Sequence, residues 1–187
     1  MNILEWIAAL FITASVVMLG KANILGWIFS VVGCLIYGVV FLEQKLYANA
    51  LLQIVFVLQG VYGIFQWKKI DSSKEFISLK FDYISLLLIF SITLGTSILI
   101  SAFIYSFMPG EYPFTDTLLS VCGLFATIML IKKVIHAWFF WMAIDIGYVY
   151  LFLKIDMHIS AGLYMLLFLL CIKNYMQWNK KIEHKTI

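Results

Sequence analysis

The sequence predicts an all-α integral membrane protein with seven transmembrane helices, and three observations carry that reading. Hydrophobic residues make up 64% of the chain and charged residues 12%, against about 45–50% and about 25% in soluble domains. Apolar runs near the length of about 20 residues that spans a bilayer core occur at seven places along the chain. The sequence also matches itself when shifted by 111 residues, which sets the seven runs into a repeat.

In order, the runs cover 3–19, 23–42, 46–66, 82–106, 114–131, 135–153 and 157–177. The breaks are polar or turn-forming: "GKAN", "EQK", "KKIDSSKE", "MPGEYP", "KK" and "KIDMH". All 13 basic residues are lysine. Lys21, Lys68, Lys69, Lys74, Lys80, Lys132, Lys133, Lys173, Lys180, Lys181 and Lys185 fall on one side of the predicted membrane, and Lys45 and Lys154 on the other. Because positive residues gather in cytoplasmic loops, the C-terminus is expected inside and the N-terminus outside, in a multi-pass membrane protein. No arginine-bearing basic stripe exists for nucleic acid. Cys34, Cys122 and Cys171 lie in apolar runs without metal-ligand spacing and read as core residues. No metal site and no cofactor is expected. Nor do HExxH, paired carboxylates or a nucleophile set argue for an enzyme, and without a GxxxxGK[ST] stretch nothing suggests ATP use.

The shift of 111 places Lys21 on Lys132, Trp27 on Trp138, Phe29 on Phe140, Tyr37 on Tyr148, and Phe41 and Leu42 on Phe152 and Leu153. Farther on, Gln66 and Trp67 meet Gln177 and Trp178, and Lys69 meets Lys180. Spans one to three thus map onto spans five to seven, four helices later and running the same way. The organisation predicted is 3+1+3: a first repeat over 1–70, a connecting fourth helix and loops over 71–113, a second repeat over 114–180 and a cytoplasmic tail over 181–187. Parallel repeats about an axis normal to the membrane mark transporters.

The sixth run, "IHAWFFWMAIDIGYVYLFL", carries Asp145 as the eleventh of its nineteen residues. A carboxylate there costs roughly 2.5–3.5 kcal/mol to insert, and no lysine lies at comparable depth in another span. It is therefore expected to await a cation from outside. Trp141 lies one turn before it on the same helix face, with Trp138 and Tyr148 along the same stripe. A negative charge beside aromatic faces suits a flat, cationic, aromatic ligand. Gln53 and Gln59 in the third span and Ser30 and Tyr37 in the second are expected to supply hydrogen bonds. Trp27, Trp67, Trp138 and Trp178, near span ends, also fit an interfacial aromatic belt. Tyr62, Tyr164 and Tyr175 read as packing or belt residues.

"LYANALLQ" and "YGIFQW" in the first half, and "PFTDTLLSVCGLFATIMLIKK" with "HAWFFWMAIDIGYVYLFLKIDMHISAGLYMLLF" in the second, give the chain a family likeness. It resembles the PnuC-type vitamin transporters over nearly its whole length. The resemblance implies a SWEET-like fold of seven helices assembled as a homotrimer. It also implies facilitated diffusion, with uptake trapped by a cytoplasmic kinase that phosphorylates the vitamin. Family substrates are nicotinamide riboside, thiamine and riboflavin; the first two carry a fixed positive charge. Where the resemblance leads one to expect asparagines in nicotinamide riboside carriers, this chain has Gly33 and Asp145. Thiamine is therefore the expected substrate and nicotinamide riboside the alternative. A vitamin-binding subunit of an energy-coupling-factor importer is more remote, since such subunits have six helices.

Overall fold

A computed structural model describes residues 3–43, 47–71, 82–107, 113–154, 156 and 158–183. Lys45, Lys74, Lys80, Lys185 and the tail residues 184–187 lie outside them. Seven helices follow in order: α1 (Ile3–Gly20), α2 (Leu25–Glu43), α3 (Tyr47–Asp71), α4 (Tyr83–Phe107), α5 (Pro113–Ile131), α6 (Ala137–Lys154) and α7 (His158–Glu183). Among the described residues, α1 to α6 each contain a stretch long and apolar enough to cross a membrane. The seventh joins an apolar N-terminal stretch to a polar C-terminal part that carries Lys173, Asn174, Gln177, Asn179, Lys180 and Lys181.

The chain forms two compact units. One comprises α1–α3 with α7 from Leu170 onward; the other comprises α4–α6 with α7 up to Leu169. In the first unit α1 packs on α2 and α2 on α3; in the second, α4 packs on α5 and α5 on α6. Small residues let the helices approach, as membrane packing requires. A Cβ added at Gly63 of α3 would lie 2.6 Å from the Trp27 ring of α2. Along the middle of the helices large apolar side chains face outward, with Leu58, Phe65, Leu99, Phe103, Ile146 and Tyr150 all exposed.

Local geometry recurs at the 111-residue shift in both units. Ala22 (φ 60°) and Lys133 (φ 54°) are both left-handed, a conformation that costs a non-glycine residue roughly 1–2 kcal/mol. Each ends its helix in the same pair of bonds. Ala22 N donates to Leu19 O and Asn23 N to Met18 O; Lys133 N donates to Leu130 O and Val134 N to Met129 O, all at 2.9 Å. This is the Schellman termination, which uses otherwise orphaned carbonyls. Asn23 Oδ1 then accepts from Leu25 N at 2.9 Å, starting α2.

The tryptophans near span ends are not a belt. Trp27, Trp67, Trp138 and Trp178 are each no more than 1% exposed. In the first unit Trp27 meets Trp67 edge-on with centroids 5.6 Å apart, and Trp67 lies 6.2 Å from Trp178. The Trp178 indole donates to Gly20 O (3.0 Å) and Leu19 O (3.3 Å), Asn174 Nδ2 to Val16 O (2.9 Å), and Lys181 Nζ to Lys21 O (2.9 Å). Three α7 side chains therefore cap the C-terminal end of α1. The indoles gain more from this buried packing and capping than from a place among headgroups. Lys133, expected in a solvated loop, is only 1% exposed.

Candidate functional site

Burial along α6 shows which of its faces is covered. Trp138, Ile144, Asp145 and Leu151 are buried, while Phe139, Ile146, Tyr150 and Leu153 are exposed. The stripe Trp138, Trp141, Asp145, Tyr148 and Phe152 thus lies on the covered side, with Trp141 and Tyr148 half-buried. Asp145 is 2% exposed. It stands about 12 Å from either end of α6, at 1.5 Å per residue. It is not, however, a bare carboxylate: it already takes part in an interaction within the protein. The expectation of an acid with no internal partner is corrected accordingly, since a charge this deep needs one.

Around Tyr148 the second unit builds a polar and aromatic cluster. Its hydroxyl shares a 2.9 Å hydrogen bond with Ser120 on α5 and donates to the Asp116 carboxylate one turn earlier. Its ring stacks on Phe152 (5.7 Å, 18°) and lies 4.7 Å from Tyr164 on α7, which also meets Phe152 at 5.3 Å. Asp116, Ser120 and Tyr164 are therefore neighbours of Tyr148 that the sequence reading did not place beside it.

The other four expected residues lie in the first unit. Ser30 and Tyr37 on α2 are half-buried, as are Gln53 and Gln59 on α3. Ser30 hydrogen-bonds the Cys34 side chain. Gln53 faces Gly38, where an added Cβ would stand 3.6 Å from the Gln53 Cβ. Tyr37 stacks on Phe41 (5.8 Å, 19°), matching Tyr148 on Phe152. Glu5, in the first turn of α1, acts electrostatically on Tyr37 as Asp116, in the first turn of α5, does on Tyr148.

Set side by side, the covered stripes of α2 and α6 are one pattern written twice. Trp27, Tyr37 and Phe41 reappear as Trp138, Tyr148 and Phe152. The stripe differs at two positions only: Ser30 becomes Trp141, and Cys34 becomes Asp145. An indole and a carboxylate have thus been placed on one copy of a scaffold whose other copy lacks both. That pair can stack a flat ring and hold a positive charge beside it. Among the described residues no group of three or more His, Cys, Asp or Glu could hold a metal ion.

Comparison with known proteins agrees with the fold and the apolar helices. The family model for the nicotinamide mononucleotide transporter matches residues 2–180. The nicotinamide riboside transporters PnuC of Escherichia coli (strain K12) and Shigella flexneri are each 22% identical over 205 aligned positions, covering 94% of this chain and 85% of theirs. The crystal structure of the vitamin B3 transporter PnuC shares the fold, with a TM-score of 0.78 at 18% identity over 97% of this chain and 82% of that one. With α1 to α6 apolar enough to cross a membrane and the family model matching nearly end to end, the chain is a multi-pass membrane protein belonging to the nicotinamide mononucleotide transporter family, the PnuC-type vitamin transporters.

Proposed function

We propose that this protein carries nicotinamide riboside across the bacterial cytoplasmic membrane by facilitated diffusion. The observation that carries this reading is the Trp141–Asp145 pair, the one divergence between two otherwise matching stripes. The pyridinium ring stacks on Trp141 with its charge near Asp145, and Tyr148 bonds a polar edge of the ligand. Trp138 begins the same stripe, and Gln53, Gln59, Tyr37 and Ser30 stay the candidate polar groups of the first repeat. Two matching three-helix repeats joined by α4, in the 3+1+3 order, rock to expose the site to each side in turn. The matched helix bounds and terminations support that order.

With the N-terminus outside, a permanent cation gains about 2.3 kcal/mol per 100 mV on moving inward. Phosphorylation by a cytoplasmic kinase then traps the vitamin, and a homotrimer is the assembly that the family likeness suggests. The relatives named for nicotinamide riboside favour that substrate over thiamine, the first expectation. Thiamine stays the competing cation, because Gly33 and Asp145 stand where asparagines were expected.

The test is tryptophan quenching of the purified protein by nicotinamide riboside, thiamine and neutral riboflavin in parallel. Two unit charges about 5 Å apart at an effective dielectric near 20 attract by roughly 3 kcal/mol. Because Asp145 exchanges an existing partner for the ligand, the net effect is smaller. Asp145→Asn should weaken binding of the cation about tenfold to a hundredfold and leave riboflavin, which is expected to bind weakly, unchanged. Equal affinity of wild type and variant for nicotinamide riboside refutes the electrostatic role; tighter binding of thiamine in the wild type restores the first expectation.

A further inference from the structure

The end of the first unit where α1, α3 and α7 finish bears a concentration of charge that carriage of a cation does not use. Lys21, Lys68, Lys69, Lys173, Lys180 and Lys181 are all exposed there. They share one end: Lys181 Nζ reaches Lys21 O at 2.9 Å, and Trp67, beside Lys68, lies 6.2 Å from Trp178, beside Lys180. Among the described residues the acids at this end are Asp71 and Glu183, on the last turns of α3 and α7, two against six lysines.

Three helix C-termini bring partial negative charge to this end, but the α7 side chains already cap α1's last carbonyls. Beside Lys68 and Lys180 in the chain, Trp67 and Trp178 are buried, so the charge at this end is carried at the surface by the lysine side chains. Lys173 and Lys180 are two turns apart on one face of α7, with Gln177 between them, about 10 Å along the axis. The polar headgroup layer of one leaflet is roughly 5–8 Å deep. The two lysines therefore bracket such a layer, with Lys173 reaching outward from its inner edge by the flexibility of its stem.

We propose that this end of the first unit binds the headgroups of anionic phospholipids, their phosphates lying between the levels of Lys173 and Lys180 and within reach of Lys21, Lys68 and Lys69. A lysine is a compact point charge and not a planar fork. The surface therefore selects for net negative charge and not for headgroup stereochemistry, so phosphatidylglycerol and phosphatidylserine bind alike. The inference needs the helices to span a membrane, but not the identity of the vitamin.

The experiment reads lipid retained by the purified full chain, by native mass spectrometry and by titration with labelled phosphatidylglycerol or phosphatidylcholine. Wild type should prefer phosphatidylglycerol, and the preference should fade between about 50 mM and 500 mM salt as screening shortens. Each lysine removed should weaken phosphatidylglycerol binding about fivefold, so K68Q/K69Q/K180Q should lose about a hundredfold while phosphatidylcholine binding stays constant. Equal retention of the two lipids by wild type, or a preference indifferent to salt, overturns the proposal even if the triple variant fails to fold. Displacement of phosphatidylglycerol by millimolar inorganic phosphate overturns it in favour of a site for free phosphate. Vitamin binding, read by quenching on the same samples, fails or succeeds separately.

Discussion

Two tryptophans of the first unit offer a paired test of how α1 is held. Trp178 and Trp27 are both buried in the same cluster, but only the Trp178 indole N–H has acceptors, Gly20 O at 3.0 Å and Leu19 O at 3.3 Å. The Trp27 Nε1 is buried with no partner among the described residues. Replacing either by phenylalanine removes the same atoms, so the cavity terms are alike and the difference isolates the hydrogen bond. In Trp178→Phe, Leu19 O keeps the Ala22 N–H at 2.9 Å, so the loss falls on Gly20 O. Stranding one buried carbonyl costs about 1–3 kcal/mol, whereas Trp27→Phe removes a polar group that was already unsatisfied. For a chain of this size 1 kcal/mol shifts the melting temperature by about 2–4 °C. Trp178→Phe should thus melt about 3–10 °C below Trp27→Phe when both are followed by circular dichroism in the same detergent. Coincident melting curves would refute the assignment of Trp178 as the cap of α1.

Further outcomes follow from neighbouring contacts. A Cβ on Gly20 would lie 1.8 Å from Asn174 Oδ1, so Gly20→Ala should destabilise by roughly 2–4 kcal/mol. Asn174→Ala on the same chain should recover much of that in a thermal melt, at the expense of the bond to Val16 O. Tyr148→Phe keeps the stacking on Phe152 and Tyr164 but deletes the bonds to Ser120 and Asp116. It should lower nicotinamide riboside affinity about fivefold to tenfold by calorimetry, with the circular dichroism spectrum unchanged. Gly63→Val, which drives a branched side chain into the Trp27 ring, should cost about 1–3 kcal/mol, seen as a lower midpoint in the same melts.

Much of this architecture is legible in residue order because a membrane leaves the chain few choices. Each predicted span lies within about two residues of its helix start, and α3 and α7 overrun their predicted ends by a polar turn or more. Apolar length locates a span but is blind to what happens at its edges, and the misreadings lie there. An indole at a span end suits the interface and a packed interior equally. The signal that decides for Trp27 is Gly63, whose missing side chain makes room for the ring. Lys133 counted as a loop cation because of its neighbour Lys132, yet its left-handed backbone turns it into the protein. Asp116 went unnoticed because an acid in a first helical turn is ordinarily satisfied by the helix dipole alone; its link to Tyr148 spans 32 positions and shows only once α5 and α6 are packed. Asp145 announced itself through depth, but that it already has a partner is a fact of three dimensions.

The doubled turn geometry around Ala22 and Lys133 gives the molecule an internal standard. Whatever befalls one half-copy has a natural comparator a fixed distance along the same polypeptide, in the same bilayer and at equal dose. Transplanting the acid and the indole to positions 34 and 30, while returning serine and cysteine to 141 and 145, asks whether affinity follows the chemistry or the address.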